Sequence, residues 1–209
     1  MEVITAITKQ RGKYLVTINE SETIIVPLSL MRERPLKLGQ SLDLEEYDNW
    51  LMVRQYRFAL DRAVGYLAAR ARSKQEIEQK LLQVGYRPCT VEMVLYKLER
   101  EHLLDDADFA RQWVESRATH KLGKRRIAQE LRRKGVSQEE AEEALSVIDD
   151  EDQLVGAVAL AEKAAARIKP GEDPHKASQR IGAMLARRGY SWDITKEALQ
   201  QALSNAIDE

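Results

Sequence analysis

Only one cysteine, Cys89, occurs in the 209 residues. A single thiol excludes an internal disulfide framework and fits a reducing compartment. Histidine is nearly as scarce. His102, His120 and His175 stand alone, with no His or Cys at the i, i+4 spacing that zinc uses, so no metal is expected. No stretch reaches the roughly 18 apolar residues that span a bilayer. The first residues lack a basic segment followed by an apolar run, so no secretory signal is expected. The chain is read as cytoplasmic, without a membrane partner. An excess of either charge is missing too: 33 basic and 34 acidic residues leave a net charge of -1. The total therefore says nothing about a polyanionic partner, and only the distribution can. Cys89, far from any histidine, reads as a small, half-buried residue at a helix start.

Catalytic constellations are absent as well. Gly123-Lys124-Arg125 imitates the end of a phosphate-binding loop, but Ala118 stands where the first glycine would be. Arg125 also replaces the Ser or Thr that would hold magnesium. Asp105, Asp106 and Asp108 could be taken for a metal cluster, yet carboxylates at a helix start complement its dipole and cap its amides. Neither an enzymatic activity nor a cofactor is expected.

What is present divides at about residue 50. Before it, Val3, Thr5 and Ile7 alternate with other residues, as do Tyr14, Val16 and Ile18. Arg11-Gly12 and the polar run Asn19–Glu22 separate them from each other and from β-branched Thr23–Val26, which Pro27 ends. Period two with intervening turns reads as strands in hairpins. Leu36–Leu42 reads as a turn into one more short strand. After Trp50, proline and glycine thin out and helix formers take over.

The helical part repeats. Ser73-Lys74-Gln75-Glu76 is a capping box, Ile77 and Leu81 share a helix face, and Gly85 suits the left-handed residue that ends a helix. Ile127, Leu131 and Gly135 repeat that spacing, and so do Ile181, Leu185 and Gly189. Each glycine is followed by Tyr86, Val136 or Tyr190, and ten residues on by Leu95, Leu145 or Leu199. Ser137 and Ser191 then cap the next helix, while Arg87 with Pro88 opens it in the first copy. A fixed period of this length marks a repeat architecture. Each copy needs a preceding helix, expected at about 56–70, 106–120 and 152–168. Asp173-Pro174 starts the middle helix of the third copy. The expected organisation is a β module at 1–52 and three-helix repeats at 53–104, 105–149 and 150–209.

Basic residues concentrate in the second copy. Arg111, Arg117, Lys121, Lys124, Arg125, Arg126, Arg132, Arg133 and Lys134 face only Glu115 and Glu130 between Arg111 and Lys134. Lys124-Arg125-Arg126 opens a helix, where the dipole already places positive charge, so each exposed cation costs about 0.3–1 kcal/mol. A phosphate or carboxylate partner reverses that sign. Arg132-Arg133-Lys134 and Arg187-Arg188 close their helices, where cations complement the dipole without further cause. Arg70, Arg72 and Lys74 sit at the loop of the first copy that corresponds to Lys121–Lys124, as if successive repeats present cations along one edge. Phe109 and Trp113, at i, i+4, are expected in the core.

Leu103–Ala110, Arg117, Gly123–Ile127 and Glu130–Val136 together resemble the core signature of the RecX family of RecA regulators. Ala59-Leu60, Leu67, Arg70–Ser73, Leu81 and Gly85 resemble it in the first copy. The likeness covers about 56–205; the β module is similar to an N-terminal extension of some members. It implies a mainly α protein, three tandem three-helix repeats in an elongated curved array. It also implies a monomer that binds in the groove of RecA filaments on single-stranded DNA. Inhibition of RecA ATPase, strand exchange and coprotease activity would follow, with direct contact to single- or double-stranded DNA in some relatives. The alternative is a stand-alone nucleic-acid-binding helical module acting through phosphate contacts.

Overall fold

The computed structural model describes residues 2–169 and 172–205. It divides into two compact units, Met1–Asp105 and Asp106–Glu209.

The first unit opens with β1 (Glu2–Gln10), β2 (Lys13–Ile18) and β3 (Glu22–Pro27), followed by helix α1 (Leu28–Glu33) and β4 (Ser41–Leu42). The strands form one antiparallel sheet in the order β3-β2-β1-β4. The register of β1 against β2 shifts between Ile4 and Ala6. That irregularity turns Ile4 into the core and leaves Val3 41% exposed, so the expected alternation of Val3, Thr5 and Ile7 does not define one buried face. Val16, Ile18, Val26, Leu30 and Leu42 complete the apolar face.

Helix α2 (Leu44–Ala69) starts about twelve residues earlier than the sequence pattern suggests. Asp43 caps it, its Oδ1 accepting from Glu46 N at 2.9 Å. The boundary expected at residue 52 therefore lies inside a continuous helix. Tyr47 and Leu51 of that helix belong to the sheet's core, whereas Ala59 and Ala63 belong to the core of the first repeat. Helices α3 (Lys74–Val84) and α4 (Pro88–Arg100) complete this repeat. Both halves of the Ser73–Glu76 capping box form, and Gly85 closes α3 at φ +99°. A Cβ on Gly85 would lie 2.5 Å from Ile25 Cγ2, so the β3 side chain packs directly on this helix end. Cys89, expected half-buried, is exposed in the first turn of α4.

The second unit holds two more three-helix repeats. One comprises α5 (Asp106–Thr119), α6 (Lys124–Arg133) and α7 (Gln138–Leu145). The other comprises α8 (Asp150–Ala165), α9 (Pro174–Arg188) and α10 (Trp192–Asn205). Ile127 and Leu131 are fully buried in one core, and Ile181 and Leu185 in the next, as their spacing predicts. Gly135 and Gly189 take φ +80° and +91°. Asp149 caps α8 and Asp173 caps α9. Among the described residues, no helix is long and apolar enough to cross a membrane.

Candidate cationic binding site

The start of α6 is not the open anion site its charge suggests. Gly123 occupies the N-cap and offers no side chain. The amides are taken by the third repeat: Gly123 N donates to Arg188 O at 2.9 Å, and Arg125 N to Gly189 O at 3.2 Å. Lys124 N donates to Gln153 Oε1 at 2.9 Å. A Cβ on Gly123 would lie 2.3 Å from the Gly189 carbonyl, and one on Gly189 would lie 2.3 Å from Arg126 N. Two glycines thus let two backbones touch. Tyr190 Oη donates to Lys121 O at 2.9 Å, and Arg188 Nη1 to His120 O at 3.2 Å, reinforcing the junction.

That junction splits the Lys124-Arg125-Arg126 run. Lys124 Nζ pairs with Asp150 at 3.1 Å. Arg125 is exposed. Arg126 turns back along α6, its Nε 3.4 Å from Glu130 Oε1. Glu130 is the organising residue. Its Oε2 accepts from Arg117 Nε at 2.8 Å and from Trp113 Nε1 at 3.1 Å. The Arg117 guanidinium lies 4.0 Å from the Trp113 ring centroid, and Lys134 Nζ lies 4.1 Å from it. Phe109 is buried beside Trp113, the rings stacked at 5.7 Å. Both Nη groups of Arg117 remain without a hydrogen-bond partner among the described residues.

Arg117, His120, Arg126 and Glu130 line a cavity of about 670 Å³, and Arg187 and Arg188 of α9 close it. Four guanidinium groups therefore share a concavity with one carboxylate that is already engaged. Planar forks of this kind match phosphate or carboxylate oxygens in pairs. Other cations of the second repeat lie elsewhere. Arg111 pairs with Asp108 at 3.2 Å, Lys121 is exposed at φ +53°, and Arg132 and Arg133 are exposed in the last turn of α6.

The first repeat carries its own basic concavity of about 540 Å³. Arg70, Arg72, Glu76 and Lys80 line it. Arg70 pairs with Glu76 at 2.9 Å, and Arg72 Nε donates to Tyr66 O at 3.1 Å. Lys74 is bound to Glu99 at 2.6 Å.

Burial by itself would raise the Glu130 carboxyl, but hydrogen bonds and charge from Arg117, Trp113 and Arg126 outweigh it and hold the group below its ordinary value of 4.5. A depressed carboxylate contributes stability above that ordinary value and loses it as pH falls through the lowered one. Glu130→Gln is expected to cost about 1–2 kcal/mol at neutral pH, discounted from the usual ~1.5–3 kcal/mol of a charged hydrogen bond because its partners are partly exposed. The urea-unfolding stabilities of the two proteins should begin to converge as pH falls through 4.5 and meet only below the lowered value at which the folded carboxylate protonates.

Sequence reasoning missed the part played by Arg187 and Arg188, for which the helix dipole was cause enough. The signal was available in the period: Arg180 and Arg187 stand 54 residues after Arg126 and Arg133, as Gly189 does after Gly135. It also passed over Gly123 at a cap position where the first repeat has Ser73.

Fold and site together define a class of protein built of tandem three-helix repeats bearing arginine-lined grooves. The chain belongs to the RecX family. Residues 59–98, 105–145 and 150–199 match the profiles for the first, second and third three-helix domains of RecX. Regulatory protein RecX of Mycobacteroides abscessus is 40% identical over 143 residues, 68% of this chain and 70% of that protein. Regulatory protein RecX of Prosthecochloris aestuarii is 38% identical over 150 residues, 71% of this chain and 96% of that protein. The crystal structure of RecX from Lactobacillus salivarius matches with a TM-score of 0.66 at 26% identity, over 72% of this chain and 97% of that one.

Proposed function

We propose that this chain is a cytoplasmic, monomeric regulator of RecA. It binds RecA filaments on single-stranded DNA and inhibits ATP hydrolysis, strand exchange and coprotease activity. Membership of a family whose relatives are named as regulatory proteins supports the reading. The observation that carries it is the groove formed by Arg117, Arg126, Arg187 and Arg188, open to an acidic or phosphate-bearing surface. Arg70, Arg72 and Lys74 offer a separate basic surface in the first repeat, and Arg111, Lys121, Lys124, Arg125, Arg132 and Arg133 add cations to the second.

Cationic grooves also suit a stand-alone nucleic-acid-binding module, acting on single- or double-stranded DNA. Co-sedimentation separates the two. Filaments assembled on single-stranded DNA with a non-hydrolysable ATP analogue should pellet this protein at salt concentrations where it no longer binds the same DNA without RecA. Phosphate contacts alone would weaken in parallel on both substrates. Equal salt dependence with and without RecA would contradict the regulator reading.

A further inference from the structure

Helix α4 carries an exposed stripe that the fold does not require. Cys89, Met93, Tyr96 and Arg100 follow one another at spacings of four, three and four residues, so they line one face of the helix. All four are exposed, Met93 at 59% and Tyr96 at 62%. The opposite face, with Val91, Val94 and Leu98, is buried in the core of the first repeat. The other two repeats provide an internal control. Cys89, Met93 and Tyr96 stand four, eight and eleven residues after the closing Gly85. Glu139, Glu143 and Ser146 hold those places after Gly135, and Asp193, Glu197 and Gln200 hold them after Gly189. Those side chains are exposed too. The same helix face is thus open to solvent in every copy and apolar only in the first, so packing within a repeat does not account for it.

Spacing and charge say what covers the stripe. A row at these intervals, about 16 Å long, is the seam against which a second helix packs side by side, knobs into holes. Charges frame the seam unequally. In heptad terms Glu92 and Glu99 flank it on one side and Lys97 on the other. Glu99 pairs with Lys74 of α3 at 2.6 Å, and Lys97 with Glu101 at 2.6 Å. Among the described residues, Glu92 and Arg100 have no ion pair. Arg100 lies 5.9 Å from the Tyr96 ring centroid, a cation set in the apolar row itself. A single charged residue in such a row fixes the register of a helix pair. A second copy of this chain does not fit the frame. Two α4 helices related by a twofold axis run antiparallel, which brings like flanks together, acid on acid and base on base.

We infer that α4 docks an amphipathic helix of a different protein, antiparallel to it. That helix carries basic residues beside Glu92 and Glu99, an acidic residue beside Lys97 and a carboxylate opposite Arg100. Antiparallel alignment also sets the two helix dipoles in their favourable order. The inference goes beyond the regulator reading and does not rest on it, since this contact needs neither phosphate nor the arginine groove.

The test uses the full chain and two fluorescently labelled three-heptad peptides with leucine at the a and d positions. One carries lysine at g and glutamate at e, and the other exchanges them. Anisotropy, read with the label at nanomolar concentration, should show the first peptide bound about tenfold more tightly, because the second meets like charge on both flanks. Glu92→Lys/Lys97→Glu should invert that preference. Met93→Lys/Tyr96→Lys should bind neither peptide, at an unchanged melting temperature because both side chains are exposed. Equal affinity of wild type for the two peptides would overturn the inference. So would a preference that Glu92→Lys/Lys97→Glu leaves as it was. Sedimentation equilibrium tests the remaining occupant. A wild-type dimer that Met93→Lys/Tyr96→Lys dissociates would put a second copy on the stripe and overturn the inference as well.

Discussion

Arg126→Glu combined with Arg187→Glu is expected to weaken binding to RecA–DNA filaments about 100-fold while leaving the protein folded. Both guanidinium groups border the cavity beside α5 and α6, one from each repeat of the second unit. A charge-assisted hydrogen bond to a partner is worth about 1.5–3 kcal/mol, so losing two exceeds about 3 kcal/mol, or two powers of ten. Within the protein the cost is small. Arg126 reaches Glu130 only at 3.4 Å and is 39% exposed, and Arg187 is exposed. Surface pairs of that kind contribute about 1 kcal/mol at most. Filament pelleting and thermal denaturation of the same sample check both halves. A variant that binds as wild type does would remove this groove from the interface.

Gly189→Ala should destabilise the second unit by about 2–6 kcal/mol. Two costs add. A φ of +91° is strained for any L side chain, at about 1–3 kcal/mol. The new methyl would also meet Arg126 backbone N at 2.3 Å, and overpacking costs about 1–3 kcal/mol. Two companion substitutions separate them. Gly39→Ala has φ +75° with open space around it, so it carries strain alone. Gly123→Ala has a φ of -74°, ordinary for alanine, but would strike the Gly189 carbonyl at 2.3 Å, so it carries overpacking alone. Urea unfolding should rank Gly189→Ala well above either. Equal values for Gly189→Ala and Gly39→Ala would mean that the close backbone approach has no energetic weight.

The Ile–Leu–Gly spacing made the three repeats legible because burial is periodic on a helix. The same residues that recur in the sequence, from Ile77 and Leu81 to Ile181 and Leu185, are the fully buried ones. Capping boxes and left-handed glycines were legible because they depend on neighbours only a few residues away. The early start of α2 was not. Tyr47 and Leu51 are buried by the sheet, a long-range partner that no local pattern records. Helix α1 is six residues long, too short for a periodic signal, and the β1 irregularity shifts the very alternation used to find the strand.

At the candidate site, charge was legible and direction was not. Lys124, Arg125 and Arg126 are adjacent in sequence, yet one meets Asp150, one faces solvent and one meets Glu130. The expectation of an open helix N-terminus failed because Gln153 and Gly189, which take its amides, lie in the next repeat. Glu130 looked like a stray acid in a basic run. Its three donors come from α5 and α6, so its role emerges only once the helices pack.

The DNA-dependent ATPase of RecA measures the proposed restraint by this chain most directly. Titrating the protein into RecA from the same source, on saturating single-stranded DNA, should extinguish ATP hydrolysis progressively. Inhibition should be reached at protein concentrations too low to coat the DNA by itself. ATP hydrolysis that stays unchanged at a saturating excess of the protein would contradict the account.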